Sequence, residues 1–384
     1  MIYLDHNAST PVRPEVADAM HAALRDLSAN PSSSHREGQR ARGALERARE
    51  QVAALVRARP EEVVFVSGGT EGDHLALVGA ALARKAAGRR VACAAIEHHA
   101  VHGAVELLAE LGFEHATLPC GADGRTDPMS VDALSPDTTV VSLMLANNET
   151  GVIQPVGELA ARAHARGLLV HCDAVQAAGK VPVEFGALDV DYLVVSGHKF
   201  GGPKGAGALI VRRGAPLAPL ARGTAHERGR RGGTENVPGI VGLGLAAELA
   251  AAELDDERAR LTALRGELER GLAADTPDVV VHGRSAPRLP NTVSASFPGT
   301  RADHLLLALD ARGVAVSAGA ACASGAVEPS PVLAAMGVPR ALAIGALRFS
   351  LGRTTTADEL ARARVVVAEA VRVTRGGSPA QARA

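Results

Sequence analysis

The sequence predicts an α/β fold, with a mostly parallel, doubly wound sheet in a larger domain and a smaller α+β unit beside it. Three observations carry this. From about residue 14 onward, short apolar runs alternate with helix-period stretches, a pattern that places helices on both faces of a parallel sheet. Two of the runs end in an acid and an amine: Asp173 follows Leu168-Leu169-Val170, and Lys199 follows Tyr192-Leu193-Val194-Val195. The carboxyl ends of neighbouring strands are where such sheets bind ligands. Finally, 384 residues can bury a substantial core and make two domains.

Residues 14–27 read as a helix with Pro14 in its first turn. Residues 35–57 carry Leu45, Ala48, Val52 and Leu55 at helical spacing, with charges on the other face. Val63-Val64-Phe65-Val66 reads as a strand, Ser67-Gly68-Gly69-Thr70 as a turn, and residues 71–87 as the next helix. The runs near Val91, Val140, Leu168, Leu193 and Leu209 repeat the strand pattern. Residues 237–271 read as a helix or helix pair leading out of this domain, the charged cluster at 253–258 forming a solvated face. Beyond it, strand-like Val279-Val280-Val281 and Thr292-Val293-Ser294-Ala295 accompany amphipathic 301–312 and 355–373. The expected division is 16–258 for the large domain and 1–15 with 259–384 for the small one, with a disordered tail at 375–379.

Composition narrows the function. A formal net charge of -1 leaves no electrostatic footprint for nucleic acid. Met1-Ile2-Tyr3-Leu4-Asp5 has neither the basic nor the apolar region of a secretory signal. The longest apolar stretch, 237–254, is interrupted by Glu248 and several glycines, so it reads as a buried helix and no membrane span is expected. The expected compartment is the cytoplasm. Cys93, Cys120, Cys172 and Cys322 form no C-x-x-C pair, which suggests neither a disulfide framework nor a zinc site. Cys93 and Cys172 read as small core residues. With no Trp, two Tyr and six Phe, the core must be built from Ala, Val and Leu.

Several residues carry candidate chemistry. A Lys held beside an acid suits a pyridoxal phosphate site, where the amine binds the cofactor covalently and a carboxylate pairs with the ring nitrogen. Asp173 reads equally as a cap for the segment after it. Lys204 lies near Lys199 and competes for the same role, but Lys199 is closer to the strand end. Gly69 and Thr70 sit at a strand-to-helix turn, whose backbone N–H groups make a phosphate cup, although glycine turns before helices are common. Ser196 and His198 flank the same strand end, as two further phosphate donors or as ordinary loop residues. His98, after the run at 91–96, can stack on an aromatic cofactor and shuttle protons, or belong to a surface His pair with His99. Cys322 sits among small residues, Ser317-Ala318-Gly319-Ala320-Ala321-Cys322-Ala323-Ser324-Gly325. That composition suits a mobile nucleophilic thiol or a buried Cys in a close-packed turn.

Taken together these pieces resemble a cysteine desulfurase of the class V aminotransferase superfamily, among the fold-type I pyridoxal phosphate enzymes. The resemblance runs in order along nearly the whole chain. It rests on Tyr3-Leu4-Asp5 with Asn7-Ala8-Ser9-Thr10-Pro11, Ser67-Gly68-Gly69-Thr70-Glu71 and Glu97-His98. It continues through Asn147-Asn148-Glu149-Thr150-Gly151, Asp173-Ala174-Val175-Gln176, Ser196-Gly197-His198-Lys199 and Arg231-Gly232-Gly233-Thr234. Cys322 and Arg348-Phe349-Ser350-Leu351-Gly352-Arg353 complete it. The chain departs from the usual pattern at Gly72-Asp73-His74 and at Thr224-Ala225, and its tail after Arg353 is short.

The resemblance implies a pyridoxal phosphate-dependent transferase-like fold with a seven-stranded sheet in the large domain. It implies that Lys199 carries the cofactor, Asp173 pairs with the ring nitrogen, and His98 stacks on the ring. Gln176 would bond the phenolic oxygen, while Gly69, Thr70, Ser196 and His198 take the phosphate. Thr234 would reach the phosphate of a second subunit, so a homodimer with a shared site is expected. Asn148 and Arg348 would lie at the substrate carboxylate, and Cys322, on a loop of the long-loop group, would accept sulfur. The expected reaction converts L-cysteine to L-alanine, with the sulfur held as a persulfide for an acceptor protein. Candidate acceptors include iron–sulfur scaffolds, tRNA-thiolation proteins, DNA phosphorothioation proteins and natural-product pathways. The rival expectations are a selenocysteine lyase or plain aminotransferase, and a non-catalytic scaffold of the same fold.

Overall fold

The computed structural model describes residues 1–319 and 329–376. A two-residue strand, β1 (Ile2–Tyr3), precedes α1 (Pro14–Asp26) and α2 (Arg36–Leu55). Pro14 occupies the first turn of α1, where its missing N–H breaks no helical bond. His35 caps α2, its Nδ1 accepting from the Gly38 N–H at 3.2 Å.

The large sheet is built from β2 (Val63–Val66), β3 (Arg90–Ala94), β4 (Glu114–Leu118), β5 (Thr138–Ser142), β6 (Leu169–Asp173), β7 (Tyr192–Ser196) and β8 (Gly207–Val211). The spatial order is β2-β8-β7-β6-β5-β3-β4. The strand pairs from β7 across to β4 are parallel, whereas β8 runs antiparallel to both β7 and β2. Between the strands lie α3 (Gly69–Arg84), α4 (His99–Glu110) and α5 (Val156–Ala165).

Alternation within single strands divides the apolar side chains between two cores. Val63, Phe65, Leu193 and Val195 join one core, and Val64, Val66, Tyr192 and Val194 the other. Successive side chains point to opposite faces, so a strand covered on both faces is apolar throughout. That is why these strands are visible as continuous runs. β4 is different: it lies at the sheet edge, and its Glu114 and His115 are exposed. The sequence has no apolar run there to mark it.

The stretch at 237–271 is a helix pair, Val237–Ala252 and Leu254–Asp275, bent by 71°. The first packs against α1 and α2. Gly244 permits close approach, since a Cβ there would lie 2.6 Å from the Ala48 Cα. Among the described residues, no single helix is long and apolar enough to cross a membrane.

The remaining strands are β9 (Val280–Val281), β10 (Thr292–Ser296), β11 (Val314–Ala315) and β12 (Ala346–Ser350). β10 pairs antiparallel with β9 and β12, and β1 pairs parallel with β11. A third core joins Ile2 and Leu4 to Leu268, Val293, Phe349 and Val371. The expected boundary at residue 258 falls inside the helix Leu254–Asp275. The expected tail needs correcting at its start: Arg375 and Gly376 close the helix Ala357–Gly376, and Arg375 Nε donates to the Pro298 carbonyl at 2.9 Å. Residues 377–379 lie outside the described residues.

A buried ion pair fixes the basic segment before Thr234. The Arg49 guanidinium donates to both Glu227 oxygens at 2.9 Å, and Glu227 Oε2 also accepts from the Phe65 N–H at 2.8 Å. Glu227 and Arg228 have φ of 46° and 56°, a region non-glycine residues seldom occupy. The pair holds that turn in place, and removing either partner would leave a buried charge alone at a cost of about 3–5 kcal/mol.

Candidate active site

Asp173 ends β6, Ser196 ends β7, and Lys199 closes the short turn after it. They face a cleft of about 430 Å³, the scale of a small-molecule site. The same cleft is lined by Gly69, Thr70, His98, Asn148, Gln176, His198 and Arg348. Thus nearly all the expected site residues meet in one place. Thr234 is exposed and does not line this cleft. Cys322 lies outside the described residues, but the chain on both sides of that segment reaches the cleft, through Gly319 before it and Pro331 after it.

The glycine turn is the start of α3 itself, which begins at Gly69, two residues earlier than the sequence suggests. A Cβ on Gly68 would stand 3.8 Å from Ser196 Oγ, and one on Gly69 only 3.0 Å from Val175 Cγ2. The bare glycines open the first turn of α3 toward Ser196, whose buried hydroxyl has no hydrogen-bond partner among the described residues. A buried hydroxyl beside free helix N–H groups fits an anionic phosphate.

Lys199 Nζ donates to the Asn7 and Ala8 carbonyls at 2.6 and 3.0 Å. Burial, reinforced by Arg348, pushes its pKa down to about 8. Lys204 is exposed and lines a separate groove with Tyr3 and Leu24. Asp173 is buried, with Oδ1 accepting from the Val175 N–H at 2.8 Å. Burial raises its pKa, and His98, the Val175 N–H and Lys199 oppose that rise. A protonated ring nitrogen would supply the missing counter-charge. These groups therefore fit pyridoxal phosphate at both its ring and its phosphate.

His98 caps α4, with Nδ1 accepting from the Ala100 N–H at 3.1 Å. Its ring is exposed in the cleft, yet the surrounding protein lowers its pKa through burial. For His198, burial depresses the pKa to about 4, so its imidazole is neutral. Arg348 Nη2 pairs with Asp5 at 2.7 Å and Nη1 donates to the Asn148 carbonyl at 3.0 Å, while Nε has no hydrogen-bond partner among the described residues.

The sequence reading assigned no role to Asp5, Asn7, Asp73 or Glu97. Asp73 and Glu97 also line the cleft; Asp73 Oδ1 lies 3.3 Å from His171 Nε2, and the buried Glu97 Oε2 has no hydrogen-bond partner among the described residues. Burial raises both, Glu97 to about 8, and the Asp173 charge adds to the effect. Glu97 Oε1 accepts from Ser142 Oγ and the Met144 N–H, each at 2.9 Å. Their place beside His98 and in Gly72-Asp73-His74 was the available signal, but carboxyls in a sequence do not show that they will be buried.

The class-V aminotransferase family model matches residues 2–362, and the chain belongs to that family. It is 44% identical over 360 residues, covering 94% of this chain and 91% of the relative, to the cysteine desulfurase IscS of Dictyoglomus turgidum. Among solved structures, a NifS-like protein superposes with a TM-score of 0.90 at 36% identity, covering 97% of this chain and 99% of that one. SspA in complex with cysteine superposes with a TM-score of 0.81 at 32% identity, covering 91% and 99%.

Proposed function

We infer that the chain is a cysteine desulfurase that holds pyridoxal 5'-phosphate in this cleft, turns L-cysteine into L-alanine and passes the sulfur through Cys322. The observation that carries this reading is the convergence of the Lys199 amine, the buried Asp173 carboxyl and the Arg348 guanidinium on one cleft, bordered on both sides by the chain that carries Cys322.

When bound, the cofactor supplies an electron sink for negative charge at the substrate Cα. Lys199 would hold it covalently, with Asp173 at the ring nitrogen, His98 against the ring and Gln176 at the phenolic oxygen. Thr70, Ser196, His198 and the Gly69 backbone would bind the phosphate. An amine with a pKa near 8 is a nucleophile at neutral pH and, once displaced by substrate, a base able to take the Cα proton. The Cys322 thiolate attacks the substrate sulfur: an S–S bond forms, the Cβ–S bond breaks, and the residual carbon is protonated to alanine. The persulfide on Cys322 then serves an acceptor protein.

Arg348 binds the substrate carboxylate beside Asn148, its planar fork suiting a bidentate partner. Arg348→Ala is expected to raise the KM for cysteine roughly ten- to a hundred-fold, the value of hydrogen bonds to a charged group. The cofactor spectrum should be retained. Unchanged kinetics would remove Arg348 from the substrate site.

The site is shared across a homodimer, with Thr234 reaching the phosphate bound by the second copy. Its exposure, its place outside the cleft of its own chain, and the anchoring of the preceding segment by Glu227 support this. Sedimentation of the active enzyme is expected to give a dimer, and a fully active monomer would contradict the shared site.

A further inference from the structure

We propose that Lys180 is a positioning residue for the cofactor: by donating to the Gln176 side-chain oxygen, it locks that amide with its nitrogen free to donate to the phenolic oxygen of pyridoxal phosphate. The inference rests on the reading above that the cleft holds this cofactor. Lys180 Nζ lies 2.9 Å from Gln176 Oε1 and 3.0 Å from the Gln176 carbonyl. An amine, charged or neutral, has at least two N–H bonds, so it can donate to both oxygens in either state. The Asn7 carbonyl on the far side of the amide can only accept, so the nitrogen must face it and the oxygen must face Lys180. The nitrogen is turned the other way, and Nε2 donates one hydrogen to the Asn7 carbonyl at 2.9 Å. Its second hydrogen is free for an acceptor in the cleft that Asn7 and Gln176 both line.

Local backbone geometry makes the pairing possible. Gly179 has a φ of +73°, and a Cβ there would lie 2.7 Å from Phe200 Cβ. This left-handed turn returns Lys180 beneath Gln176. Lys180 is buried and does not line the cofactor cleft; it borders a separate, smaller cavity together with His6, Asn291 and Lys199. It acts on the cofactor through Gln176. The charged and titratable groups that bear on it are Lys199 and Arg348, with His6 and His198 feeling its charge in turn. Among the described residues no carboxylate pairs with it, so its structural partners are the two Gln176 oxygens. A salt-bridge role is absent, and the hydrogen bonds to Gln176 are what its burial secures.

Donation from Gln176 to an anionic phenolic oxygen favours the deprotonated form of the Lys199-linked cofactor. Without Lys180 the amide keeps only its bond to the Asn7 carbonyl, so it is held less firmly and that form is less favoured. The visible-band pH titration of the Lys180→Met holoenzyme is therefore expected to shift upward by about one pH unit, the value of a hydrogen bond to a charged group. Loss of cofactor to a competing carbonyl reagent should be about ten-fold faster. Lys180→Ala, which also removes the donor, serves if the Met variant does not fold. Gln176→Ala should give the same shift, and adding Lys180→Met to it should change nothing further. A Lys180 variant that titrates like wild type would overturn the proposal, as would a full additional shift in the Gln176→Ala background, which would mark a direct charge effect instead. A wild-type protein with no visible band would overturn the cofactor reading itself.

Discussion

Lys199→Ala is expected to lower alanine formation from cysteine by about a thousand-fold or more, the scale on which a positioned acid–base group acts. Lys199 is the one lysine lining the cleft among the described residues. Its amine is held by the Asn7 and Ala8 carbonyls, and burial depresses its pKa to about 8. No neighbour can replace it: Lys180 is committed to Gln176, and Lys204 is exposed in another groove. Borohydride reduction of the wild-type holoenzyme followed by peptide mapping should place the cofactor on Lys199. Label on Lys204, or a Lys199→Ala enzyme turning over at the wild-type rate, would overturn the assignment.

Cys322→Ser is expected to cost at least about a hundred-fold in alanine formation while leaving cofactor binding intact, because the thiolate takes the sulfur and a hydroxyl is a poor acceptor. With cysteine labelled at sulfur, the wild-type enzyme should retain label on Cys322 and release it to a reducing thiol, and the Ser variant should retain none. Alanine formation by the Ser variant at the wild-type rate would refute the persulfide step. Loss with cysteine but retained activity on selenocysteine would favour the lyase reading, since that chemistry can dispense with the thiol.

How readily each element could be read follows from its surroundings. Four of the five parallel strands, β3, β5, β6 and β7, and the antiparallel-paired β2 and β8 are apolar runs, so six of the seven strands of the large sheet are visible because both faces are covered. β4 escaped because an edge strand keeps Glu114 and His115 in water, which removes the apolar signature. The start of α3 was misplaced by two residues because glycine at 68–69 reads as a turn, whereas the first of the helical residues is Gly69 itself.

The sequence by itself determined which groups sit at the strand ends. Asp173, Ser196 and Lys199 follow buried runs, and a chain that must bury those runs in one sheet delivers their ends to one edge. Only the tertiary structure decided which distant groups meet them. Arg348 is joined to Asp5 and Asn148 across separations of 343 and 200 residues. The N-terminal Asn7 carbonyl receives both Lys199 and Gln176. The paired burial of Asp73 and Glu97, and the hold of Lys180 on Gln176, also depend on how the packed elements close over the site. A residue's type sets its capacity to donate, accept or ionise, but its partner and its loss of water come from chain segments that the local sequence does not contain.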